Sequence, residues 1–96
     1  MALFVLTCID KPDSLALRMA TREAHFAYAG SKPAGMIRLG GPFLDDAGDM
    51  AGSLIILEAE DLAAARRFNA EDPYTLAGIF QSVDVRPWRA TFGTLP

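Results

Sequence analysis

The segment SLIILEAEDLAAARRFNA, residues 53–70, joins the clearest strand of the chain directly to a helix. Its first part, SLIILEA (53–59), is mostly large and apolar, which predicts a buried strand. The second part, EDLAAARRFNA (60–70), is rich in alanine and other helix formers, and Asp61 is placed to cap its first turn. Asp72-Pro73 should end this helix, because the residue before a proline disfavours the helical region.

The N-terminal part of the chain repeats this order. ALFVLTCI (2–9) is continuously apolar, which predicts a central strand buried on both faces. DKPDS (10–14) interrupts it, and Ser14 or Asp13 can cap a helix that follows. That helix should run to about Ala29, since Gly30 supplies a C-terminal stop.

The two sides of this first helix differ in composition. Leu15, Met19 and Phe26 recur at helical spacing and predict the stripe that packs on the core. Another face carries Arg18, Arg22 and His25. The simplest interpretation of that face is a solvated basic surface.

Two further strands, a loop and a helical turn complete the prediction. Gly40-Gly41-Pro42 should interrupt the second strand with a bulge or a close approach of the backbone. Pro87 suits an edge strand or a strand end. The predicted elements are a strand GMIRLGGPF (35–43), a turn-rich loop LDDAGDMAG (44–52), a helical turn YTLAG (74–78) and a last strand IFQSVDVRPW (79–88).

The order of elements is therefore β-α-β followed by β-α-β. This split βαβ pattern predicts an α+β, ferredoxin-like βαββαβ fold, with a four-stranded antiparallel sheet and both helices on one face. The 96 residues allow one domain, residues 1–96. Hydrophobic residues make up 51% of the chain, so we expect a homodimer in which a second subunit covers the other sheet face.

Composition also excludes several classes of function. The net charge is -3 and no basic cluster follows a phosphate backbone, so we expect no nucleic-acid partner. No apolar run reaches the ~18 residues of a membrane span, and no signal peptide is recognisable. Cys8 is a single cysteine, which favours a cytoplasmic protein and an inert buried thiol.

Metal binding has little support in the sequence. His25 and Cys8 belong to different elements and form no ligand cluster. Asp45, Asp46 and Asp49 lie in one turn but lack the pattern of a calcium loop. We therefore expect no metal and no organic cofactor.

His25 is the only side chain that ordinarily titrates near neutral pH, and it lies three residues after Arg22 on one helix face. A nearby guanidinium favours neutral imidazole, as a general base requires. Asp72 could orient the ring, and Pro73 would hold the carboxylate in place. From spacing alone, a surface histidine and a helix-ending aspartate are the better explanation of these two residues.

A few other residues could contribute to a site. Ser53 could offer its hydroxyl to a ligand or merely end a turn. Backbone amides at Gly40-Gly41 could face a ligand, although the spacing is not that of a phosphate loop. Tyr28 and Tyr74 could line a pocket or fill the core, and Trp88 is typical of an interface or core anchor.

Several of these segments occur together in a known family. The chain resembles the YciI-like (YCII-related) domain proteins over nearly its whole length. The resemblance is carried by REAHFAY (22–28), GMIRLGGPF (35–43), GSLIILEA (52–59), DPYTLAGIF (72–80) and VRPW (85–88).

The resemblance implies a ferredoxin-like fold that dimerises through its sheets as a dimeric α/β barrel. It implies that His25 and Asp72 form the active-site pair. Ser53 and the glycine pair Gly40-Gly41 match further family positions.

Three hypotheses for function follow. The first is an enzyme of isomerase or lyase type that acts on a small cyclic or aromatic-derived substrate. In this hypothesis, His25 moves a proton and Asp72 orients the His25 ring. Arg22 attracts an anionic group of the substrate, and Ser53 with Gly41 stabilises an oxyanion. Tyr74 joins the substrate-binding residues. The second hypothesis is a sensor domain that binds a small ligand without chemistry, and the third is a domain whose role is dimerisation.

Overall fold

Residues 1–95 form seven elements in the computed structural model of this chain. The C-terminal residue, Pro96, lies outside the described part. The elements are β1 (Ala2–Asp10), α1 (Leu15–Gly30), β2 (Ile37–Leu44), β3 (Met50–Ala59), α2 (Leu62–Glu71), α3 (Pro73–Leu76) and β4 (Phe80–Trp88). The βαββαβ order is confirmed, and the turn predicted at residues 74–78 is the short helix α3.

The four strands make one sheet in the order β2-β3-β1-β4, and every neighbouring pair is antiparallel. The predicted central strand β1 is indeed central, with β3 on one side and β4 on the other. Pro87 lies on β4, an edge strand, where no further strand needs its missing N–H. The α+β, ferredoxin-like fold expected from the sequence is therefore the fold observed.

The hydrophobic core lies between the sheet and α2. Phe4, Leu6 and Leu57 of the central strands are buried against Ala65 and Phe68 of the helix. Burying one such large side chain stabilises the fold by about 1.5–3 kcal/mol. At the start of α2, the carboxylate of Asp61 accepts a hydrogen bond from the backbone N–H of Ala64 at 2.8 Å, as a cap should. These contacts fix α2 on the sheet.

Helix α1 packs differently from the prediction. Its one fully buried residue is Arg18, only 2% exposed, whereas Met19 and Phe26 are 60% and 55% exposed. The predicted apolar stripe was therefore wrong for Met19 and Phe26, and the solvated basic face was wrong for Arg18 but right for the exposed Arg22. The reason is that α1 does not rest flat on the sheet. It packs on α3 and reaches the core through Tyr28, which leaves a cleft beneath its middle turns.

The β2–β3 hairpin corrects two further expectations. Strand β3 begins at Met50, three residues before the predicted start, so the turn is short. Within it, the side chain of Asp45 accepts hydrogen bonds from the N–H groups of Ala47 and Asp49. Pairing is regular through Gly40 and Gly41, and the irregularities lie on either side, at residues 37–39 and 43–44. The bulge was therefore predicted at the wrong position.

The second face of the sheet carries no helix among residues 1–95, and its apolar residues lie beside charged ones such as Glu58, Asp84 and Arg86. It is formed by residues that alternate along β1 and β3 with the buried core residues, and the larger apolar ones are Leu3, Val5, Ile9, Leu54 and Ile56. Trp88 pairs with Leu3 on the same face and is partly exposed. Among residues 1–95, no helix has the length and apolar character needed to cross a membrane.

Candidate active site

A cleft of about 200 Å³ lies between α1 and the strands β2 and β3. Its walls are mainly apolar, with Phe26 on the helix side and Ile37 and Ile55 on the sheet side. Five of the six predicted site residues line it: Arg22, His25, Gly41, Ser53 and Tyr74. The sixth, Asp72, lies behind His25. The fold thus gathers residues from both βαβ halves around one cavity.

His25 and Asp72 are in direct contact, although 47 positions separate them in the sequence. The Nδ1 atom of His25 lies 2.9 Å from Oδ1 of Asp72. Because an ionised carboxylate only accepts hydrogen bonds, Nδ1 carries the proton of the neutral ring and Nε2 keeps a lone pair. Within residues 1–95, Nε2 makes no hydrogen bond, and it is not sealed from solvent. The geometry is that of a histidine ready to accept a proton.

The local backbone holds Asp72 in place. Asp72 ends α2 and caps α3, with φ -62° and ψ 132°, the extended conformation expected before Pro73. Its Oδ1 also accepts the backbone N–H of Tyr74 at 2.9 Å. The residue is only 2% exposed, so its carboxylate is fixed between these two donors. The interpretation of Asp72 as a helix terminator and its interpretation as the partner of His25 are both correct.

Tyr74 forms the floor beside the histidine. Its ring stacks on that of His25, with centroids 4.1 Å apart and planes 13° from parallel. The guanidinium carbon of Arg18 lies 4.4 Å from the same tyrosine ring. Burial raises the pKa of the Tyr74 phenol, against the opposing effect of Arg18. Tyr74 therefore stays neutral, and its stacked ring fixes the plane of the imidazole.

Arg18 is buried through an ion pair that sequence analysis missed. Its Nε and Nη2 atoms donate to the two carboxylate oxygens of Asp10, at 2.7 and 2.9 Å. The same Nη2 donates to Oγ of Ser53 at 2.9 Å. Burial disfavours the charge, but the hydrogen bonds and ion pair with Asp10 outweigh it and raise the pKa of Arg18. A permanent positive charge therefore lies at the base of the cleft.

Arg22 and Gly41 border the opening of the cleft. Arg22 is exposed, and its guanidinium carbon lies 4.9 Å from the centre of the Phe26 ring. Gly41 faces open space, since a Cβ atom there would meet no atom within 4 Å. At Gly40 the nearest contact would be an ordinary 3.5 Å from Ile55. The close backbone approach expected at this pair is therefore absent, and the pair leaves the entrance wide.

Three other residues considered from the sequence lie outside the cleft lining. The hydroxyl of Tyr28 donates to the backbone oxygen of Phe68 at 2.7 Å, so this tyrosine ties α1 to α2. Cys8 is buried, and its thiol donates to Oδ1 of Asn69. Burial raises the pKa of that thiol to about 12, as expected of an unreactive cysteine. Trp88 belongs to the uncovered sheet face.

No group of three or more His, Cys, Asp or Glu side chains in residues 1–95 is arranged to hold a metal ion. The polar groups of the cleft come instead from histidine, arginine, serine and tyrosine. They can accept a proton at one point and donate hydrogen bonds at others. Such a set suits an organic anion.

A signal for Arg18 was present in the sequence. Arg18, Arg22 and His25 are spaced as positions i, i+4 and i+7, so they share one helix face. What the sequence lacked was the partner, because Asp10 follows an apolar strand and resembles the first residue of a turn. A helix face with three basic groups was interpreted as solvated, when it faces a cleft.

The comparison with known proteins identifies the family. Residues 2–89 match the YCII-related domain. This chain belongs to that family. Protein YciI of Escherichia coli O6:H1 is 35% identical, over 94% of this chain and 99% of that protein. An uncharacterised Haemophilus influenzae protein is 33% identical, over 93% of this chain and 98% of its own length. The resemblance stated from the sequence is thereby confirmed.

Solved structures extend the comparison of this YCII-related domain. The 5-chloro-2-hydroxyhydroquinone dehydrochlorinase TftG from Burkholderia phenoliruptrix AC1100, solved with 2,5-dihydroxybenzoquinone, is 37% identical. It superposes with a TM-score of 0.82, over 91% of this chain and 93% of that one. A protein described as an antibiotic biosynthesis monooxygenase is 18% identical, with a TM-score of 0.59 over 95% and 99% of the two chains. The second likeness concerns the fold alone.

Proposed function

We propose that this chain is a small-molecule enzyme of isomerase or lyase type, in which His25 is the general base and acid. The observation that carries the proposal is the contact of its Nδ1 with Asp72, which leaves Nε2 free at the cleft. A base needs a lone pair within reach of the substrate proton, and a fixed tautomer supplies one. Asp72 would orient the ring and stabilise the imidazolium formed during the reaction.

The proposed chemistry balances without an external oxidant or reductant. In a dehydrochlorination, Nε2 first moves one hydroxyl proton of the ring to the carbon that bears chlorine, which gives a keto tautomer. Nε2 then takes a second hydroxyl proton, the electrons of that O–H bond form a C=O π bond, and chloride leaves with the electrons of its bond to carbon, which gives a quinone. In an isomerisation, the same nitrogen returns the proton to another atom of the substrate. We therefore assign no organic cofactor and no metal to either route.

The substrate would be a small cyclic molecule with an acidic hydroxyl group. Two features support this class. The cleft is small and mainly apolar, with Phe26 at one wall, which favours an apolar ring. The related dehydrochlorinase was solved with 2,5-dihydroxybenzoquinone, a hydroxylated ring. Arg22 at the entrance would attract the ionised form of this hydroxyl group. Ser53 and the backbone at Gly41 would donate hydrogen bonds to the oxygen on which negative charge develops.

The test is release of chloride from 5-chloro-2-hydroxyhydroquinone by the purified protein. We expect turnover in the wild type, and a loss of about 10²–10⁴-fold in kcat for His25→Gln, the range that a general base contributes. Asp72→Asn should also lower kcat, since the imidazolium loses its charged partner. Leu76→Ala is the control, because Leu76 is exposed and lies outside the cleft lining. Equal activity of His25→Gln and wild type would refute the mechanism.

A second candidate function is a non-catalytic domain that binds the same kind of ligand. The free Nε2 and the buried arginine would then serve recognition alone. Binding of 2,5-dihydroxybenzoquinone without turnover of any chlorinated or isomerisable analogue would favour it. No binding at all would favour the third hypothesis, in which dimerisation is the function.

We also propose that two copies of the chain associate through the uncovered sheet face and make the dimeric α/β barrel. The support is the apolar side chains of Leu3, Val5 and Trp88 on that face, which would be costly to leave in water. Light scattering should give twice the chain mass, reduced to the single mass by Trp88→Lys. Leu76→Lys, on the helix side, should not change it. We expect this dimer in the cytoplasm, where a free thiol such as Cys8 stays reduced.

A further inference from the structure

The base of the cleft contains a hydrogen-bonded row of three side chains that the proton transfer at His25 does not use. Asp10 at the end of β1 binds the guanidinium of Arg18 with both carboxylate oxygens. Arg18 in turn donates to Oγ of Ser53 on β3, and Ser53 is only 6% exposed. The three residues come from three different elements. Residue separations of 8 and 35 give no local reason for them to meet.

The direction of these hydrogen bonds is fixed by chemistry. A guanidinium can only donate, so Oγ of Ser53 must accept the bond from Arg18. The hydroxyl proton of Ser53 is then free to be donated elsewhere. In residues 1–95 that hydroxyl donates to no other protein group, and Ser53 lines the cleft. The hydroxyl therefore has its donor side available to whatever occupies the cleft.

Arg18 is held too firmly to move toward a ligand. The two bonds to Asp10 form a fork, which fixes the plane of the guanidinium as well as its position. The ring of Tyr74 lies 4.4 Å from its central carbon, and the same ring stacks on His25. One rigid group therefore sets the orientation of Ser53 and supports the plane of the proton-transferring histidine.

We propose that Arg18, clamped by Asp10, is a positioning residue that makes the Ser53 hydroxyl a dedicated donor to an anionic oxygen of the ligand. This inference rests on the proposed function and deepens it, because it names what the ligand must carry. The ligand is a ring whose hydroxyl is ionised, such as an enolate or phenolate. A neutral ether at the same position accepts a weaker hydrogen bond and brings no charge to the arginine.

The experiment measures dissociation constants for two probes by calorimetry. The first, 2,5-dihydroxybenzoquinone, is an anion at neutral pH, and the second, 2,5-dimethoxybenzoquinone, is its neutral ether. In Ser53→Ala, we expect the anion to bind about tenfold or more weakly, as for a lost hydrogen bond to a charged group. The neutral ether should bind with less than about threefold change by the same reasoning. Ser31→Ala is the control, since Ser31 is exposed and lies outside the cleft lining.

Arg18→Lys separates positioning from charge. Lysine keeps the positive charge but lacks the fork that binds Asp10 and Ser53 together. We expect it to lose the same selectivity for the anion as Ser53→Ala. The double variant Arg18→Lys with Ser53→Ala should then lose little more affinity for the anion than either single variant, because both substitutions disrupt the same hydrogen-bonded arrangement. A purely structural role of Arg18 predicts instead an equal loss for both probes.

The outcomes separate this inference from the proposed enzyme. Unchanged discrimination between the two probes in Ser53→Ala, or additive losses in the double variant, overturns the inference while chloride release by the wild type can still stand. Selective loss of the anion in a protein that turns over no substrate overturns the enzyme proposal alone. A wild type that binds neither probe overturns both, and thermal unfolding of each variant shows that the fold persists.

Discussion

Helices α1 and α2 lie on the same side of the sheet but differ in how they pack against it. The ten residues of α2 bury Ala65, Phe68 and Asn69, and the helix closes the core. The sixteen residues of α1 bury one side chain completely, the arginine Arg18. The longer helix is thus the less tightly packed, and the cleft lies where it stands away from the sheet.

This difference shows how two similar halves of a fold can give one helix that closes the core and one that leaves a cleft. A helix packed by apolar side chains has no room for a ligand, since interiors are filled to crystal-like density. A helix held by an ion pair and a tyrosine hydrogen bond can leave space beneath it. In this chain the contacts that hold α1 include Arg18 to Asp10, His25 to Asp72 and Tyr28 to the backbone oxygen of Phe68.

The largest expected effect compares one phenylalanine from each helix. Phe68→Ala empties a buried position in α2 and should lower the free energy of unfolding by about 3–5 kcal/mol. Phe26→Ala in α1 removes an exposed ring and should change it by no more than about 0.5 kcal/mol. Urea denaturation followed by circular dichroism measures both. Comparable losses would contradict the unequal packing of the two helices.

The next effect compares two glycines of the strands. A Cβ atom at Gly52 would lie 2.4 Å from the carbonyl oxygen of Cys8, so the central strands must shift. We expect Gly52→Ala to cost about 1–3 kcal/mol, the usual range for overpacking. Gly41→Ala, which meets no atom within 4 Å, should leave stability within about 0.5 kcal/mol.

The same urea experiment measures both glycine variants. Gly41→Ala also narrows the entrance of the cleft, so it should lower the affinity for 2,5-dihydroxybenzoquinone. An unfolded Gly41→Ala protein would show that the cleft side of the sheet is as closely packed as its centre.

A smaller effect concerns the link between the two helices. Tyr28→Phe removes the hydroxyl that donates to the carbonyl of Phe68 but keeps the ring. The expected loss is about 1 kcal/mol, the net value of one such hydrogen bond. Amide hydrogen exchange should increase more in the C-terminal turns of α1 than in the rest of the helix, because this bond anchors the C-terminal turns. An unchanged exchange pattern there would mean that Arg18 and His25 hold α1 without a contribution from this bond.

The last prediction concerns the pH dependence of that link. Burial, followed by the nearby carboxylates of Glu71 and Asp72, raises the pKa of Tyr28 from 10.0 to about 12. Since the folded protein favours the neutral phenol, its contribution to stability is complete below pH 10.0 and is lost as the pH rises toward about 12. Over that window the wild type should lose more stability than Tyr28→Phe. Phenolate absorbance of the folded protein should agree, and a phenol that ionises near pH 10.0 would contradict it.

The sequence by itself determined the order of the elements and several of their ends. Asp61 indicated the start of α2, Asp72-Pro73 indicated its end, and the apolar run of β1 indicated a central strand. Each of these signals depends on neighbours within a few residues. His25 and Asp72 were singled out by residue type, and the family resemblance paired them. Local chemistry was sufficient for these predictions.

Only the tertiary structure decided which side of α1 turns inward. Helical periodicity favoured Met19 and Phe26, because it assumes that a helix rests on its apolar stripe. The outcome depended on Asp10 and Ser53, which lie on other elements and offer the buried guanidinium a charge and an acceptor. A charge can be buried only where such partners meet it, and their meeting is a property of the assembled fold.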